Sequence, residues 1–342
     1  MIKIGKVLYL LNDDTYIHCE FDSFLIKVGA REQTRIPTNL IEQIIIFGNT
    51  TVSNYLIKYC SENSIFVSYV SGLGIYYGGL RGKSVGNVIL RQKQYRLYDD
   101  MERRLPLVRN IVLGKGLNQR AVLRKMAETV DDTKTLKLSG AISQIGEQLS
   151  SLKEAETIET IRGIEGSIAT IYFGAFDDML KTKDDEMLFV KRSRRPPENN
   201  CNALLSFFYT MITLNCISAL ECVGLDSYMG YLHELHSGRE SLALDLVEEF
   251  RAPLVDHLII TWINRKQVTK ADFTVVSGSI CMKDESKKRL LQLWEAEKEK
   301  IVYFPLYKEE VPQKLLPYLQ ARLMAQFIRG DIEEYPPWSW EE

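Results

Sequence analysis

The sequence is short of the features that mark secreted and membrane-bound proteins. Its six cysteines include no pair at CxxC spacing, which argues against a zinc ribbon and against a disulfide framework. The first residues are apolar only briefly before an acidic turn, so no signal peptide is predicted. From the residues alone, we expect no apolar run to be long enough to cross a bilayer. We therefore expect a soluble, cytoplasmic protein without membrane contacts, whose thiols are buried and reduced.

The chain also lacks an excess of charge of one sign. Lys and Arg number 43 and Asp and Glu 45, which gives a formal net charge of −2. Any contact with nucleic acid must therefore come from local basic patches. One patch precedes a proline break and contains Lys191, Arg192, Arg194 and Arg195. It is typical of a solvated loop, but its charge also suits contact with a phosphate backbone.

Two well-known catalytic motifs are incomplete. The glycine-rich loop at 78–84 resembles a phosphate-binding loop, but position 77 is tyrosine where the first glycine is required. Nucleotide hydrolysis is therefore not favoured, although Arg81 and Lys83 remain candidates for contacting phosphates. His233 and His236 are three residues apart, whereas zinc proteases need a spacing of four. A protease of that kind is excluded.

The residue pattern changes near position 88. Before it, short runs rich in β-branched and aromatic residues predict strands and one helix, capped by Thr50 or Thr51. The predicted strands are 3–11, 15–28, 41–47 and 65–70, and the predicted helix is 52–63. After position 88 the period is helical, with breaks expected at Pro106 and Pro253. We predict an α+β protein with a β-rich N-terminal domain, residues 1–95, and a larger all-α domain, residues 96–342.

The acidic, aromatic tail at 333–342 has two interpretations. It docks in an extended form on a neighbouring chain, or it is a frayed end.

Asp245 and Glu248 lie in an apolar run with helical period, three residues apart and on one face. Two buried carboxylates side by side repel, so the pair needs a counter-charge. A divalent metal is one candidate, and Arg239 or Arg251 is another.

Glu165 lies between Gly163 and Gly166 in a segment that otherwise predicts helix. Glycines inside a helix suggest close approach of a ligand or another backbone. From the residues alone, a solvated glutamate at a helix junction is the favoured interpretation.

Several motifs, in this order, resemble the CRISPR-associated integrases of spacer acquisition, the Cas-one family. The motifs are the run at 36–48, the run at 64–70, Arg162-Gly-Ile-Glu-Gly166, Arg195-Pro-Pro-Glu-Asn-Asn followed by the helix to Phe207, Gly230-Tyr-Leu-His233, and Leu244-Asp-Leu-Val-Glu-Glu-Phe-Arg251. The resemblance covers nearly the whole chain, and the branch found in type I-C systems is the most similar.

The resemblance implies a set of site residues. Glu165, His233 and Glu248 match the family's metal ligands, with Mg²⁺ or Mn²⁺ as the metal, and Asp245 matches a neighbouring catalytic acid. His236 is a rival for the histidine ligand, but His233 ends the family's motif. Candidates for contacting DNA, beside the basic patch, are Arg162, His236, Arg239 and Arg251.

The resemblance also implies an activity and partners. The family cuts DNA in a metal-dependent way and inserts short DNA duplexes into a CRISPR array by transesterification, as part of adaptive antiviral defence. The N-terminal domain is expected to form a homodimer, and the partners are double-stranded DNA and the small Cas-two protein. Two alternatives remain open: a non-catalytic DNA-binding scaffold, and an unrelated helical binding protein whose acidic pair is bridged to Arg239 or Arg251.

Overall fold

The computed structural model divides the chain into two compact units, Met1–Gly86 and Asn87–Glu342. It describes residues 6–29, 31–47, 49–71, 76–80, 88–182, 187–193, 197–276 and 279–340. The first unit is rich in strands and the second in helices, which confirms the predicted α+β class. The helix Val88–Asp99, which the predicted boundary at residue 95 would divide, belongs wholly to the second unit.

The described part of the first unit contains strands β1 to β8 and helix α1. Their bounds are β1 Lys6–Leu10, β2 Thr15–Glu20, β3 Ser23–Val28, β4 Arg31–Pro37, β5 Ile41–Phe47, β6 Thr50–Val52, α1 Asn54–Glu62, β7 Phe66–Val70 and β8 Tyr76–Leu80. The strands form two four-stranded sheets, ordered β1-β5-β7-β8 and β4-β3-β2-β6. In the first sheet β5 is parallel to both β1 and β7, while β8 is antiparallel to β7.

The two sheets and α1 share one apolar core. Ile17 of β2, Phe24 of β3, Ile44 of β5 and Leu56 of α1 are each completely inaccessible to solvent. Each of these strands contributes alternate residues to the core, as a half-buried strand does. Burial of this apolar surface is the main force that holds the unit together.

Two local predictions in this unit are wrong. The run 15–28 is a hairpin and not one strand, because the chain reverses at Phe21, whose φ is +50°. Asp22 and Ser23 are turn-forming residues, but the left-handed position is occupied by Phe21, and the prediction overlooked this turn. Helix α1 is capped by the side chain of Ser53, which accepts a hydrogen bond from the Leu56 amide, and not by Thr50 or Thr51.

The described part of the second unit contains helices α2 to α10 and two hairpins. The helices are α2 Val88–Asp99, α3 Met101–Ala127, α4 Asp132–Ser151, α5 Ile158–Gly174, α6 Asn200–Cys222, α7 Ser241–Phe250, α8 His257–Asn264, α9 Asp284–Lys298 and α10 Leu316–Arg329. The hairpins pair β9 Phe273–Val276 with β10 Ser279–Met282, and β11 Ile301–Phe304 with β12 Glu309–Pro312. The helical pattern of the sequence did not predict these hairpins.

The break expected at Pro106 is wrong, whereas the break expected at Pro253 is present between α7 and α8. Helix α3 continues without interruption past Pro106. The proline lies near the start of this long helix and removes only one of its hydrogen bonds. Pro253 lies in a π-helical turn, Arg251–Asp256, which joins α7 to α8. The wider π turn accommodates a residue without an amide hydrogen and keeps the chain helical.

Helix α6 corrects the expectation about apolar runs. Among the described helices, it is long and apolar enough to cross a membrane by length and composition, but 67% of that stretch is buried inside the protein. It is therefore best described as the core helix of the second unit. The cysteines are all free, and all except Cys222 are buried, as expected.

The tail folds back onto its own unit, which matches neither predicted interpretation. We call the segment Tyr335–Trp340 the strap. The side chains of Tyr335 and Trp338 are 0% and 2% exposed, and the backbone amide of Trp340 donates to Asn118 on α3.

Candidate active site

Three helices of the second unit bring two of the predicted ligands together. Glu165 lies on α5 and Glu248 on α7, and both carboxylates form ion pairs with Lys115, which lies on α3. The Lys115 Nζ atom is 2.8 Å from Oε2 of Glu248 and also contacts Oε1 of Glu165. Lys115 is buried, so this ammonium is a fixed part of the site and not a surface charge.

His233 reaches the same place from the loop before α7. The loop passes so close to α7 that a Cβ atom on Gly230 would lie 2.6 Å from the backbone of Ser241, which explains the glycine of the Gly-Tyr-Leu-His motif. The next residue, Tyr231, is fully buried, and its carbonyl accepts two hydrogen bonds from the guanidinium of Arg104. The backbone around His233 is therefore rigidly held.

Asp245 orients the imidazole of His233. One of its carboxylate oxygens accepts from the Tyr231 and Leu232 amides, at 2.6 and 3.1 Å. The other accepts from the His233 amide at 2.9 Å and lies 2.8 Å from Nδ1 of the ring. A carboxylate can only accept, so Nδ1 carries the hydrogen and Nε2 keeps its lone pair. Asp245 thus acts through His233, in the way that carboxylates behind metal-bound histidines do.

Glu248 lies among the charged side chains of the site. It is 3% exposed, and its Oε1 lies 3.3 Å from Arg251 and 3.9 Å from Nε2 of His233. Burial by itself raises the pKa of this carboxyl, but Arg251, Lys115 and His233 lower the pKa to about 2. Glu248 is therefore ionised at neutral pH and available as an anionic ligand.

The donor chemistry of these residues fits a divalent cation. Two carboxylates and one imidazole nitrogen are ligands that suit Mn²⁺ well and Mg²⁺ acceptably. Within the described residues, no three His, Cys, Asp or Glu side chains already form a cluster that could hold a metal ion. The ion pairs explain this result, because the ammonium of Lys115 lies between the carboxylates of Glu165 and Glu248.

The residues predicted to contact DNA have different environments. Arg162 on α5 donates to the Leu232 carbonyl and to Glu234, each at 2.8 Å, so it supports the loop that carries His233. His236 and Arg239 lie further along the same loop and are exposed. The structure therefore gives His236 no role beside Glu165 and Glu248.

The basic patch is divided between surface and interior. Lys191 is exposed, with an ion pair of 3.3 Å to Glu198. Arg192 turns inward, where its guanidinium donates to Asn202 and Ser206 on α6. The remaining candidates fall outside the described residues, namely Arg194 and Arg195 of this patch and Arg81 and Lys83 of the glycine-rich loop.

A buried polar cluster lies behind Arg251. The guanidinium groups of Arg251 and Arg192 lie 5.1 and 5.3 Å from the ring centre of Tyr209. The Tyr209 hydroxyl donates to Asp256 at 2.6 Å, and Tyr172 donates to its other oxygen. Burial raises the pKa of Asp256 to about 7, against the opposing hydrogen bonds and arginines. This cluster fixes the arginine that contacts Glu248.

Lys115 is the main site residue that sequence reasoning missed. The sequence does contain a mark of this residue, because Lys115 lies between two helical glycines, Gly114 and Gly116. A Cβ on Gly114 would lie 2.7 Å from Pro337 of the strap, and one on Gly116 would lie 2.6 Å from Leu149. The glycines thus mark close packing on both sides of a charged residue.

Glu249 was also missed, because its role depends on the strap. Its carboxyl accepts from the Tyr335 hydroxyl, from the Trp338 amide at 2.8 Å and from Gln320 at 2.8 Å. Burial raises the pKa of Glu249 to about 7 despite these hydrogen bonds. Asn118 donates to the backbone carbonyls of both Glu249 and Trp338. The strap therefore joins α3 to α7 directly beneath Lys115 and Glu248.

Comparisons with known proteins agree with this architecture. Residues 8–296 match the family described as CRISPR associated protein Cas1. A relative from Rhodospirillum rubrum, named CRISPR-associated endonuclease Cas1 2, is 36% identical over an alignment that covers 100% of each chain. A solved casposase bound to integration product has a TM-score of 0.83 at 22% identity, covering 98% of this chain and 95% of that one. A chain of a solved Cas6-RT-Cas1–Cas2 complex has a TM-score of 0.85 at 22% identity, covering 99% of this chain and 36% of that one.

At such identities the two solved structures support the fold alone. The family match spans most of the chain, and the relative from Rhodospirillum rubrum is aligned from end to end. The chain therefore belongs to the family that its motifs resemble, the CRISPR-associated Cas1 proteins.

Proposed function

We propose that this protein is a metal-dependent DNA endonuclease and integrase that inserts short duplexes into a CRISPR array. The observation that carries the proposal is the convergence of Glu165, His233 and Glu248, with Asp245 holding the ring of His233. Its relative is named an endonuclease, and the casposase of the same fold was solved with an integration product. We include a cytoplasmic location and membership of the type I-C branch in the proposal.

The reaction needs no protein nucleophile. The 3′-hydroxyl oxygen of the incoming strand forms a bond to phosphorus, the bond to the displaced 3′-oxygen breaks, and the hydroxyl proton ends on that displaced oxygen through solvent. When bound, Mg²⁺ or Mn²⁺ supplies charge neutralisation at the phosphate and makes the attacking hydroxyl more acidic. Glu165, His233 and Glu248 would hold the ion, and Asp245 keeps the lone pair of His233 available.

The surface beside Glu165 suits a close approach by DNA. Gly163 and Gly166 lie on the same helix, and a Cβ atom at either position would meet no described atom within 4 Å other than those of the neighbouring residues and of the helix backbone. α5 is continuous here, so the predicted helix junction is not present. Two missing side chains next to an acidic ligand leave room for a phosphate backbone.

We further propose that the protein acts as a homodimer through its N-terminal unit, together with double-stranded DNA and Cas2. The solved complex of similar fold contains Cas2, which supports the choice of partner. The chain carries a net charge of −2, so it benefits from a partner that adds basic surface to hold a duplex.

The salt bridge to Arg251 expected for the unrelated helical binding protein is present, so a non-catalytic role keeps one supporting observation, although the family match rules out an unrelated protein. Arg251 pairs with Glu248, as an internally neutralised acidic site would require, whereas Arg239 is exposed. Measurements of metal binding and of DNA-strand joining distinguish a non-catalytic scaffold from an enzyme.

The test is an integration assay with a supercoiled repeat plasmid, a short duplex and Mn²⁺, with and without Cas2. We expect Glu165→Gln, His233→Ala and Glu248→Gln each to lower joining at least about 100-fold, as loss of a group that stabilises transition-state charge does. Glu159→Gln, on an exposed position of the same helix as Glu165, and His236→Ala are the matched controls and should retain activity. Joining by all three site variants at the wild-type rate would show that the site is elsewhere.

A further inference from the structure

We propose that Lys115 is a resident cation of the active site, which a divalent metal ion must displace in order to bind. This inference rests on the proposed function, since it takes Glu165 and Glu248 to be the metal's carboxylate ligands. Lys115 then sets how tightly the site binds metal, although it is not itself a ligand.

The position of the ammonium is the first support. Nζ of Lys115 pairs with an oxygen from each of the two carboxylates, one on α5 and one on α7. These are the oxygens that a cation bridging the two helices would use. An ammonium and a metal ion are both cations, so they cannot favourably share the space between the same two oxygens.

The balance of charge is the second support. Glu165, Glu248 and Asp245 are opposed by Lys115 and Arg251, and Asp245 is already satisfied by four hydrogen bonds. Arg251 contacts Oε1 of Glu248, on the side of His233 and of Tyr209. Lys115 contacts Oε2 and is therefore the cation that holds the two carboxylates together.

The packing on both sides of Lys115 determines which part of the molecule can move. The backbone at Gly114 is pressed against Pro337 and Glu249, and the backbone at Gly116 against Leu149. Helix α3 is therefore fixed on both sides of Lys115. Displacement has to occur in the side chain, whose four methylene groups allow the ammonium to swing away while the helix stays in place.

Removal of the ammonium gives opposite results under the two possible roles. A residue that only shapes the site would, on removal, let the carboxylates separate and weaken metal binding. A competing cation would, on removal, leave Glu165 without its ion pair to Lys115 and Glu248 paired with Arg251, and so strengthen metal binding.

The experiment measures Mn²⁺ affinity by electron paramagnetic resonance, without any catalytic readout. We expect Lys115→Met to bind Mn²⁺ about tenfold more tightly than wild type, a change of about 1.4 kcal/mol. Lys115→Arg keeps the positive charge and should not show this gain. Lys137→Met makes the same change in net charge at an exposed ion pair with Asp178, and its affinity should stay within about twofold of wild type.

Weaker or unchanged Mn²⁺ binding by Lys115→Met would overturn the inference while leaving the proposed metal site intact. Glu165→Gln tests the metal site itself. If this variant binds Mn²⁺ as tightly as wild type, both the metal site and the inference are overturned.

A measurement on the wild-type protein covers the case in which Lys115→Met does not fold. Acetic anhydride acetylates accessible amines, and mass spectrometry follows the peptide that contains Lys115. Mn²⁺ should raise the acetylation rate of Lys115 several-fold and leave that of Lys137 unchanged. An unaltered rate for Lys115 at saturating Mn²⁺ would show that the ammonium is not displaced.

Discussion

Asp245→Asn is the most informative single change in the site, because it alters charge and hydrogen bonding without altering volume. The carboxylate of Asp245 accepts four hydrogen bonds, two on each oxygen, from three backbone amides and the His233 ring. An asparagine offers one oxygen and one NH₂ group. If the NH₂ group faces the Tyr231 and Leu232 amides, two buried N–H donors lose their acceptor. If it faces His233, one backbone amide loses its acceptor, because the ring can change tautomer and accept at Nδ1.

The magnitude follows from the one or two donors left unpaired. A buried donor that loses its partner costs about 1–3 kcal/mol, so Asp245→Asn should lower the free energy of unfolding by about 1–6 kcal/mol. A second effect falls on the imidazole. If the NH₂ group faces Nδ1, the ring hydrogen moves to Nε2 and the lone pair for the metal is lost. We therefore expect Mn²⁺ affinity to fall about 10–100-fold, as it does when a residue behind a metal ligand is changed.

The assay pairs urea denaturation with Mn²⁺ titration, both carried out where the variant is still folded. Tyr335→Phe is the control, because it also destabilises the second unit but does not touch His233. Loss of metal affinity in Asp245→Asn alone supports the orienting role. An Asp245→Asn protein with wild-type Mn²⁺ affinity and wild-type stability would refute the reasoning.

Three further outcomes are expected from the buried groups and the basic patch. Tyr335→Phe removes the hydroxyl that bonds to Glu249, so urea denaturation should show a loss of about 1–3 kcal/mol; full stability would contradict the role of the strap. The folded-state pKa of Asp256 is raised from 3.8 to about 7, so its protonated form stabilises the fold below pH 3.8 and this contribution is lost as pH rises through 7. The free energy of unfolding of Asp256→Asn, measured by denaturation at each pH, should therefore fall less than that of wild type over this range. Parallel pH dependence in the two proteins would contradict the raised pKa of Asp256. Arg192→Ala should destabilise the protein by about 1–3 kcal/mol, because the side chain is bonded inside the unit. Lys191→Ala should instead preserve stability and reduce the salt dependence of DNA binding. A loss of stability in Lys191→Ala but not in Arg192→Ala would contradict the placement of Lys191 on the surface and Arg192 in the interior.

Much of the fold could be predicted because hydrophobic periodicity is a local property. The change from strand to helix near residue 88 and the apolar helix around Met211 follow directly from the order of residues. The hairpin turn at Phe21 and the continuation of α3 through Pro106 did not follow. Phe21 adopts a left-handed conformation that bulky residues rarely adopt, and Pro106 removes only one hydrogen bond from a long helix. A short hairpin such as β9–β10 gives only a weak pattern beside long helices.

The site was harder to predict because its parts are distant in sequence. The pair Asp245 and Glu248 was visible from its spacing, but spacing alone made both acids equal. The structure separates them: Asp245 is satisfied by backbone amides, whereas Glu248 faces Lys115 and His233. Motif resemblance selected Glu165 and His233, and their roles as ligands stay predictions. Lys115 was marked only by the glycines on either side of it, which indicate close packing but do not identify the carboxylates that it contacts.

The strap has a consequence for the order of events during synthesis. Asn118 bonds to residues 220 and 222 positions further along the chain, and those bonds help to hold α3 against α7. At about 5–20 residues per second, roughly 10–40 s pass on the ribosome between the emergence of Asn118 and that of Trp338. During this interval α3 and α7 have only their direct contacts, such as the hydrogen bond from Asn118 to the Glu249 carbonyl. The strap therefore adds the last hydrogen bonds between these helices only when synthesis of the chain is nearly finished.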